Sequence, residues 1–296
     1  MNNKSRIKIK RFMSQLGLSV SKAKTQFPLD LTASGMDPVS AVYQAWGKKI
    51  LLRVPLARCV HFGWLSFGCG QNSASPFVRT LVEYESGQCV SYKGSALEAF
   101  YERFRPRSAS DLMGLPVPNN AILAELPPIA APILWRPEHP SQKVEDRRKV
   151  LRADNGEHGG DMGAEEGDPF YGPVSAKKGE FEFGRLVKVY ESIKKNRFIV
   201  DPYGYNNIKV VCLVSGEGKG WRCAIASGGQ HRIAALAALG RKEITVQLDR
   251  EGLAGLVHEC DVAAWPVVVN GYVSQNEALS IFRRIFNCQQ PSTYIG

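Results

Sequence analysis

The chain has 296 residues, 44% of them hydrophobic and 22% charged, which excludes a wholly disordered protein and a collagen-like fibre. Its net charge is +10, from 38 Lys and Arg against 28 Asp and Glu. The surplus is uneven, because residues 1–60 hold eleven basic residues against only Asp30 and Asp37, and the rest of the chain is nearly neutral.

Residues 1–36 form a basic segment that we predict to be a flexible arm. The segment lacks the apolar core of a secretory signal, and a mitochondrial presequence is the less favoured alternative. Such an arm could contact nucleic acid or an anionic membrane, but its apolar residues are few and a solvated tail is preferred. No run approaches the roughly 18 apolar residues of a membrane span. Seven cysteines, an odd number without a CxxC pair, predict reduced thiols and a cytoplasmic protein.

Residues 37–149 read as an α+β module without a catalytic pattern. Asp37-Pro38 is typical of a helix start, and this helix is predicted to run to about Trp46. A capping box at Ser95 predicts a second helix, which ends before Pro106. Three runs are predicted to be strands: Ile50–Pro55, Cys59–Phe67 and Val78–Glu83.

Residues 150–168 are rich in glycine and acidic side chains and almost free of large apolar ones. Because such a composition cannot bury a core, we predict a flexible linker or an exposed loop. Its acidic residues and His158 follow no EF-hand or zinc spacing, so a metal site is not expected here.

Residues 169–250 contain the most informative pattern. Residues 251–296 are predicted to pack on them as a C-terminal helical extension, in which a capping box at Ser274 opens a helix. The extension's predicted helix has Leu279, Phe282, Ile285 and Phe286 on its core face. The predicted elements of the informative region are a helix at Glu180–Asn196 and strands at Ile208–Val214, Trp221–Ala226 and Glu243–Leu248. The glycine-rich residues 215–220 are predicted to form a hairpin turn rather than a phosphate loop, because a strand follows them.

A strand, the residues Ser227-Gly-Gly-Gln-His-Arg232 and an Ala-rich helix follow one another directly. Two glycines allow a tight turn and a close approach of the backbone to a ligand. The free N–H groups and the positive dipole end of the following helix then favour an anion. His231 and Arg232 add side-chain donors, so the pattern predicts a phosphate-binding site.

The stretch from Trp221 to Leu248 resembles the ParB/sulfiredoxin superfamily. Sulfiredoxins carry Gly-Gly-Cys-His-Arg at this loop, ParB-type proteins carry Gly-Glu-Arg-Arg, and the order of helix and strands around it agrees. Tyr171–Ser175 looks like the upstream proline-containing segment that lines the same pocket. The resemblance covers about 80 residues, roughly 169–248, and implies an α+β nucleotide-binding domain of that type.

The resemblance implies a set of site residues. Nucleotide phosphates would contact Ser227, Gly228, Gly229, Gln230, His231, Arg232 and Ser175. His231 and Arg232 would also stabilise charge on the transferred group, and a carboxylate base would come from Glu180, Glu182 or Asp168. Gln230 stands where sulfiredoxins need their nucleophilic cysteine, so reductase activity is not expected. Cys223 is predicted to be a buried strand residue, and Lys177 and Lys178 a solvated surface pair.

The predicted function is therefore an ATP-dependent phosphotransferase or nucleotide hydrolase acting on a small molecule. ATP or another nucleotide, with Mg²⁺, would be the phosphoryl donor, and the acceptor would lie between this domain and the N-terminal module. One alternative is a ParB-like DNA-binding protein with a nucleotide switch, not favoured because no helix-turn-helix pattern follows residue 250. Another is an inactive nucleotide-binding scaffold.

Overall fold

A mixed seven-stranded sheet with helices packed around it organises the part of the chain that the structure describes. A computed structural model describes residues 27–61, 64–115, 121–202, 204, 206–216, 220–248 and 255–294, apart from the side chain of Ser227. The predicted α+β class, with a helical C-terminal part, is confirmed. Residues 1–26 of the predicted arm and residues 217–219 of the predicted hairpin turn lie outside these ranges.

The sheet combines short edge strands with longer central ones. Its strands are β1 (Leu29–Asp30), β2 (Ile50–Pro55), β3 (Cys59–Val60), β4 (Lys209–Val214), β5 (Trp221–Ser227), β6 (Glu243–Leu248) and β7 (Leu256–His258). The order across the sheet is β1-β2-β6-β4-β5-β3, and β7 also pairs with β4. The predicted antiparallel pairing of β4 with β5 is confirmed.

Strands from both halves of the chain lie in this one sheet. β2 pairs antiparallel with β6, so that Ile50 lies opposite Leu248 and Pro55 opposite Glu243. β3 pairs in parallel with β5. The buried apolar side chains of both halves likewise belong to one cluster. The segments 37–149 and 169–250 therefore share a sheet and a core, and residues 150–168 do not separate two folding units.

Ten α-helices surround the sheet in the described ranges. They are α1 (Pro38–Ala45), α2 (Pro76–Glu85), α3 (Ala96–Arg103), α4 (Ala109–Met113), α5 (Ile122–Glu125), α6 (Pro140–Glu157), α7 (Ala176–Asn196), α8 (Gln230–Ala238), α9 (Pro266–Val269) and α10 (Gln275–Phe286). Short 3₁₀ segments lie at Leu56–Arg58, Pro128–Ala130, Ala164–Glu166 and Glu259–Ala264. α8 packs against α7 and α2, so three distant parts of the sequence meet at α8.

The helix starts predicted from capping residues are confirmed. The Asp37 carboxylate accepts the N–H groups of Val39 and Ser40 at the start of α1. Ser274 and Glu277 form a complete capping box before α10. In each case a polar side chain satisfies backbone donors that the helix leaves unpaired.

The core face of α10 is also confirmed, with one difference. Phe282, Ile285 and Phe286 are buried as predicted. Leu279 is only partly buried, and Ile281 takes its place in the core.

The predicted strand Val78–Glu83 is wrong, because these residues belong to helix α2. Pro76 occupies its first turn, where the missing N–H costs nothing, and Phe77, Val78 and Leu81 are buried with helical spacing. The predicted strand Cys59–Phe67 is too long. Pairing with β5 stops at Val60. Val60 also bridges to Gly68, and the His61 N–H donates to the Phe67 carbonyl.

The prediction of a loop at residues 150–168 is wrong for its first half. Helix α6 continues to Glu157, held by the buried side chains of Leu151 and Asn155. Beyond it, Met162 and Asp168 are buried as well. A few anchoring side chains are enough to fix a segment whose average composition is that of a linker.

Candidate functional site

The loop between β5 and α8 needs both of its glycines for its own geometry. Gly228 has φ of 60°, a left-handed conformation that costs other residues free energy. A Cβ on Gly229 would lie 2.8 Å from the Ile208 methyl Cγ2 and 3.0 Å from Ile225 Cγ2. The Gly-Gly pair therefore serves the tight passage from strand to helix whether or not a ligand is bound.

None of the described side chains caps the amino end of α8. Gly229 is the N-cap residue and offers no hydrogen-bonding side chain to the first turn. The N–H groups of Gln230, His231 and Arg232 belong to that turn, where a helix supplies no internal partners. Together with the dipole of a nine-residue helix they attract negative charge. This end of α8 is the predicted phosphate site.

The Arg232 side chain folds back on the loop and is hydrogen-bonded to it. Its guanidinium donates to the carbonyl oxygens of Gly228 and Asn206, with Nε 3.1 Å from the Gly228 oxygen. Burial lowers the pKa of Arg232 from its ordinary value. Three of its five N–H groups are used in these contacts, which leaves two without a partner among the described residues. Arg232 therefore fixes the loop and still presents donors beside the helix end.

His231 lies between helices α7 and α2. Its Nε2 is 3.5 Å from a carboxylate oxygen of Glu182, and its ring meets that of Phe77 edge to face, with 5.9 Å between centroids. Only 17% of its side chain is exposed. The structure thus brings together two of the predicted catalytic residues, His231 and Glu182, from segments about 50 residues apart.

Glu182 is fully buried within a cluster of charges. Its Oε1 accepts from Lys178 Nζ at 2.6 Å and from Arg185 at 3.2 Å. Lys178 also donates to the side-chain oxygen of Asn155, and Arg185 forms a two-pronged ion pair with Asp154. The prediction that Lys178 is a solvated surface residue is wrong, because its side chain has no exposed area.

His231 is neutral at physiological pH. Burial lowers its pKa to about 4, and the Glu182 carboxylate opposes this only in part. At pH 7 the imidazole can accept a proton or donate one hydrogen bond, but carries no charge. The predicted stabilisation of charge on a transferred group by His231 stays a prediction, and it would have to come from that hydrogen bond. Glu182 would stabilise the imidazolium after protonation, as carboxylates do in catalytic dyads.

Gln230 takes part in a chain of hydrogen bonds that the sequence did not predict. Its side-chain oxygen accepts from Nδ1 of the buried His61, whose Nε2 accepts from the Ser75 hydroxyl at 3.1 Å. His61 stacks on Phe77 at 5.8 Å, and burial lowers its pKa to about 4. These hydrogen bonds link His61, which follows β3, and Ser75, which precedes α2, to the first residue of α8. No spacing pattern links these positions in the sequence.

Three other predicted site residues lie apart from this cluster. Ser175 caps α7, where its hydroxyl accepts the Lys178 N–H at 3.0 Å, and α7 therefore begins four residues before the predicted start at Glu180. Glu180 is exposed. Asp168 is buried and forms a two-pronged ion pair with Arg147, at 3.0 and 3.1 Å. Neither Asp168 nor Glu180 shares a hydrogen bond with the loop among the described residues.

Neither the cysteines nor any described cluster of metal-ligating side chains contributes to the candidate site. Cys223 is buried in β5 as predicted, and all seven cysteines are free. Within the described ranges, no three His, Cys, Asp or Glu side chains form a group suited to a metal ion. None of the described helices has the length and apolarity needed to cross a membrane.

Comparisons with family models, with curated proteins and with solved structures found no match to the chain. The resemblance to the ParB/sulfiredoxin superfamily therefore stays a prediction that depends on the loop residues and the order of elements.

Proposed function

We propose that the chain binds a nucleotide through its phosphates at the amino end of α8 and transfers a phosphoryl group to a small molecule or to water. One observation carries the proposal: an uncapped helix end preceded by Gly228-Gly229 lies beside the spare donors of Arg232 and the buried pair of His231 and Glu182. Backbone N–H groups in this arrangement suit phosphate oxygens.

His231 is the proton acceptor in this mechanism. As the acceptor's oxygen forms its bond to phosphorus, the bond to the bridging oxygen of the donor breaks, and the proton of the attacking hydroxyl passes to the neutral imidazole. The buried Glu182 then stabilises the imidazolium at 3.5 Å from Nε2. The N–H groups of α8 stabilise negative charge on the transferred group.

Among the residues that the structure describes, none form a Mg²⁺ site at the loop. The Glu182 carboxylate is occupied by Lys178 and Arg185, and Asp154 is paired with Arg185. An ion that enters with the nucleotide would be held by phosphate oxygens and water, and no step in the proposal depends on it.

Thermal shift with a panel of nucleotides and Mg²⁺ tests the binding step. A nucleotide at about 100 times its dissociation constant should raise the melting temperature by roughly 5 °C. Arg232→Gln should abolish the shift. Arg241→Gln, a change of the same type at an exposed residue just after the carboxyl end of α8, should leave it intact. If no nucleotide shifts the melting temperature, the proposal fails.

Product release tests the transfer step separately. His231→Asn should retain the thermal shift but lose at least about 100-fold in the release of ADP or inorganic phosphate, because general base catalysis is removed. Unchanged turnover in this variant would contradict the role of His231. Binding without any turnover in the unaltered chain would instead identify an inactive scaffold.

A further inference from the structure

A cavity of about 100 Å³ lies between helices α2 and α3. Its lining residues include four small ones, which leave a gap where larger side chains would meet: Ala74, Pro76, Ala96 and Ala99. The volume corresponds to roughly three water molecules, and the cavity opens to the surface, so it can admit one end of a larger ligand. None of its lining residues belongs to the loop before α8 or to the pair of His231 and Glu182, so it is separate from the site described above.

Two aromatic rings form the apolar wall of the cavity. Phe100 is 2% exposed, and its ring centroid lies 6.4 Å from that of Tyr294. The Tyr294 ring in turn meets those of Phe67 and Phe104 edge to face, with 5.7 and 5.8 Å between centroids. Because these neighbours already hold the rings in place, a ligand that packs on them would not have to order them first.

Each of the two helices also places one arginine at the cavity. Arg79 has a single ionic partner among the described residues, Glu83 at 3.8 Å, which is too far for a hydrogen bond. The other carboxylate oxygen of Glu83 accepts the Ala96 N–H at 3.0 Å. Arg103 is exposed and has no hydrogen bond or ion pair within the described ranges. None of the lining residues is acidic, so the positive charge beside the cavity is largely uncompensated.

We propose that this cavity binds a small carboxylate whose body is a flat apolar ring. The planar guanidinium groups of Arg79 and Arg103 match the geometry of a carboxylate. The ring would pack on Phe100 and Tyr294, between the alanines of α3. An apolar wall with a few polar anchors is the usual composition of a small-molecule site. A compact anion would use the arginines but leave the wall uncovered, and a neutral ring would leave both charges without a partner.

Titration of the full chain with benzoate, followed by NMR of the ligand, tests this proposal. Benzoate should bind with a dissociation constant of roughly 1 mM or tighter. Acetate supplies the charge without the ring, and benzyl alcohol supplies the ring without the charge, so each should bind at least about tenfold more weakly. No binding of benzoate, or equal binding of either partial ligand, would overturn the proposal.

Variants locate the ligand in the cavity. Arg79→Gln and Arg103→Gln should each weaken benzoate binding about tenfold, because a charged hydrogen bond is lost. Ala99→Leu keeps both charges and the helix propensity but fills the cavity, so it should abolish binding. Binding that survives in Ala99→Leu and in both arginine variants would contradict the assignment.

Two further arginines serve as matched controls. Arg107→Gln removes an exposed arginine that follows α3 but does not line the cavity, and it should leave benzoate binding unchanged. Arg232→Gln alters the proposed phosphate site and should also leave it unchanged. Loss of benzoate binding in either control would show that net charge, or the loop before α8, holds the ligand, and would overturn the proposal.

Discussion

Lys178 carries a charge in a place where an unpaired charge would be very costly. Its side chain is wholly buried and satisfied by Glu182 and Asn155, from α7 and α6. The same Glu182 contacts His231, so one lysine supports the carboxylate behind the proposed proton acceptor. At this scale, Lys178 and Arg185 compensate the charge of Glu182, while burial keeps His231 neutral.

Replacing Lys178 by Met should destabilise the protein by about 3 kcal/mol or more, because it leaves the buried Glu182 with less compensating charge. Urea unfolding measures the change. Lys177→Met is the matched control, because Lys177 is exposed and its loss should alter stability by less than about 0.5 kcal/mol. Equal effects of the two changes would contradict the importance of the buried pair.

Two histidines, the buried His61 and the largely buried His231, should make the protein less stable in acid. Burial lowers the pKa of His61 and His231 to about 4, from an ordinary value of 6.5. Between these values the unfolded chain binds more protons than the folded chain, so the free energy of unfolding falls as the pH falls. Each histidine contributes a slope of up to about 1.4 kcal/mol per pH unit in this window.

Urea unfolding at pH 7, 6 and 5 measures this slope. The variants His61→Gln and His231→Asn should each reduce it, and the double variant should reduce it most. A slope in the double variant equal to that of the unaltered chain would show that other groups are responsible.

At the scale of single elements, Gly229 at the start of α8 and Gly184 within α7 differ in whether the surroundings leave room for a side chain. Gly229 begins α8 where no Cβ fits between Ile208 and Ile225. Gly184 lies exposed in the middle of α7, and a Cβ there would meet no atom within 4 Å. The first glycine is required by packing, whereas the second only weakens its helix.

Gly229→Ala should therefore destabilise the protein by about 1–3 kcal/mol, because neighbouring side chains must move to accept the methyl group. Gly184→Ala should stabilise it by about 0.5–1 kcal/mol. Melting temperatures of both variants test the pair of predictions. A Gly229→Ala protein as stable as the original would show that packing does not require the glycine.

Local signals in the sequence predicted local structure well. Asp37, Ser95 and Ser274 mark helix starts because a capping side chain acts on amides within three residues of itself. The strand prediction for Val78–Glu83 failed because β-branched and aromatic residues also fit a helix that buries one face. The prediction gave too little weight to the start signal of Pro76.

Only the part of the site that is formed by contiguous residues could be predicted from the sequence. The loop and its anion-binding helix end follow from contiguous residues. The contacts of His231 with Glu182 and of Gln230 with His61 depend on how distant segments pack. Composition also misled at Lys178, where a pair of adjacent lysines suggested solvent although only Lys177 faces it.

At the scale of the whole molecule, one sheet unites the two halves of the chain. β2 lies beside β6 and β3 beside β5, so the core contains residues from both. The loop of the proposed site rests on this sheet, and its first helical residue is tied to His61. The N-terminal half is thus a structural part of the site.

The full chain should consequently unfold in one cooperative transition. Tryptophan fluorescence and far-UV circular dichroism should give the same urea midpoint, because both halves share a core. A fragment of residues 169–296 should lack a cooperative transition, since it loses the strands that cover β6 and β5. Two separate transitions, or a stable fragment, would show that the halves are independent domains.

The pairing of β2 with β6 has a consequence during synthesis. On the order of 190 residues separate the two strands, and at about 5–20 residues per second a ribosome needs roughly 10–40 s to make them. During that time the strand that later pairs with Ile50, Leu52 and Val54 has not yet been made, so these apolar side chains remain uncovered. The nascent chain is therefore exposed to aggregation for a long time at β2, and chaperones that hold apolar segments would act there.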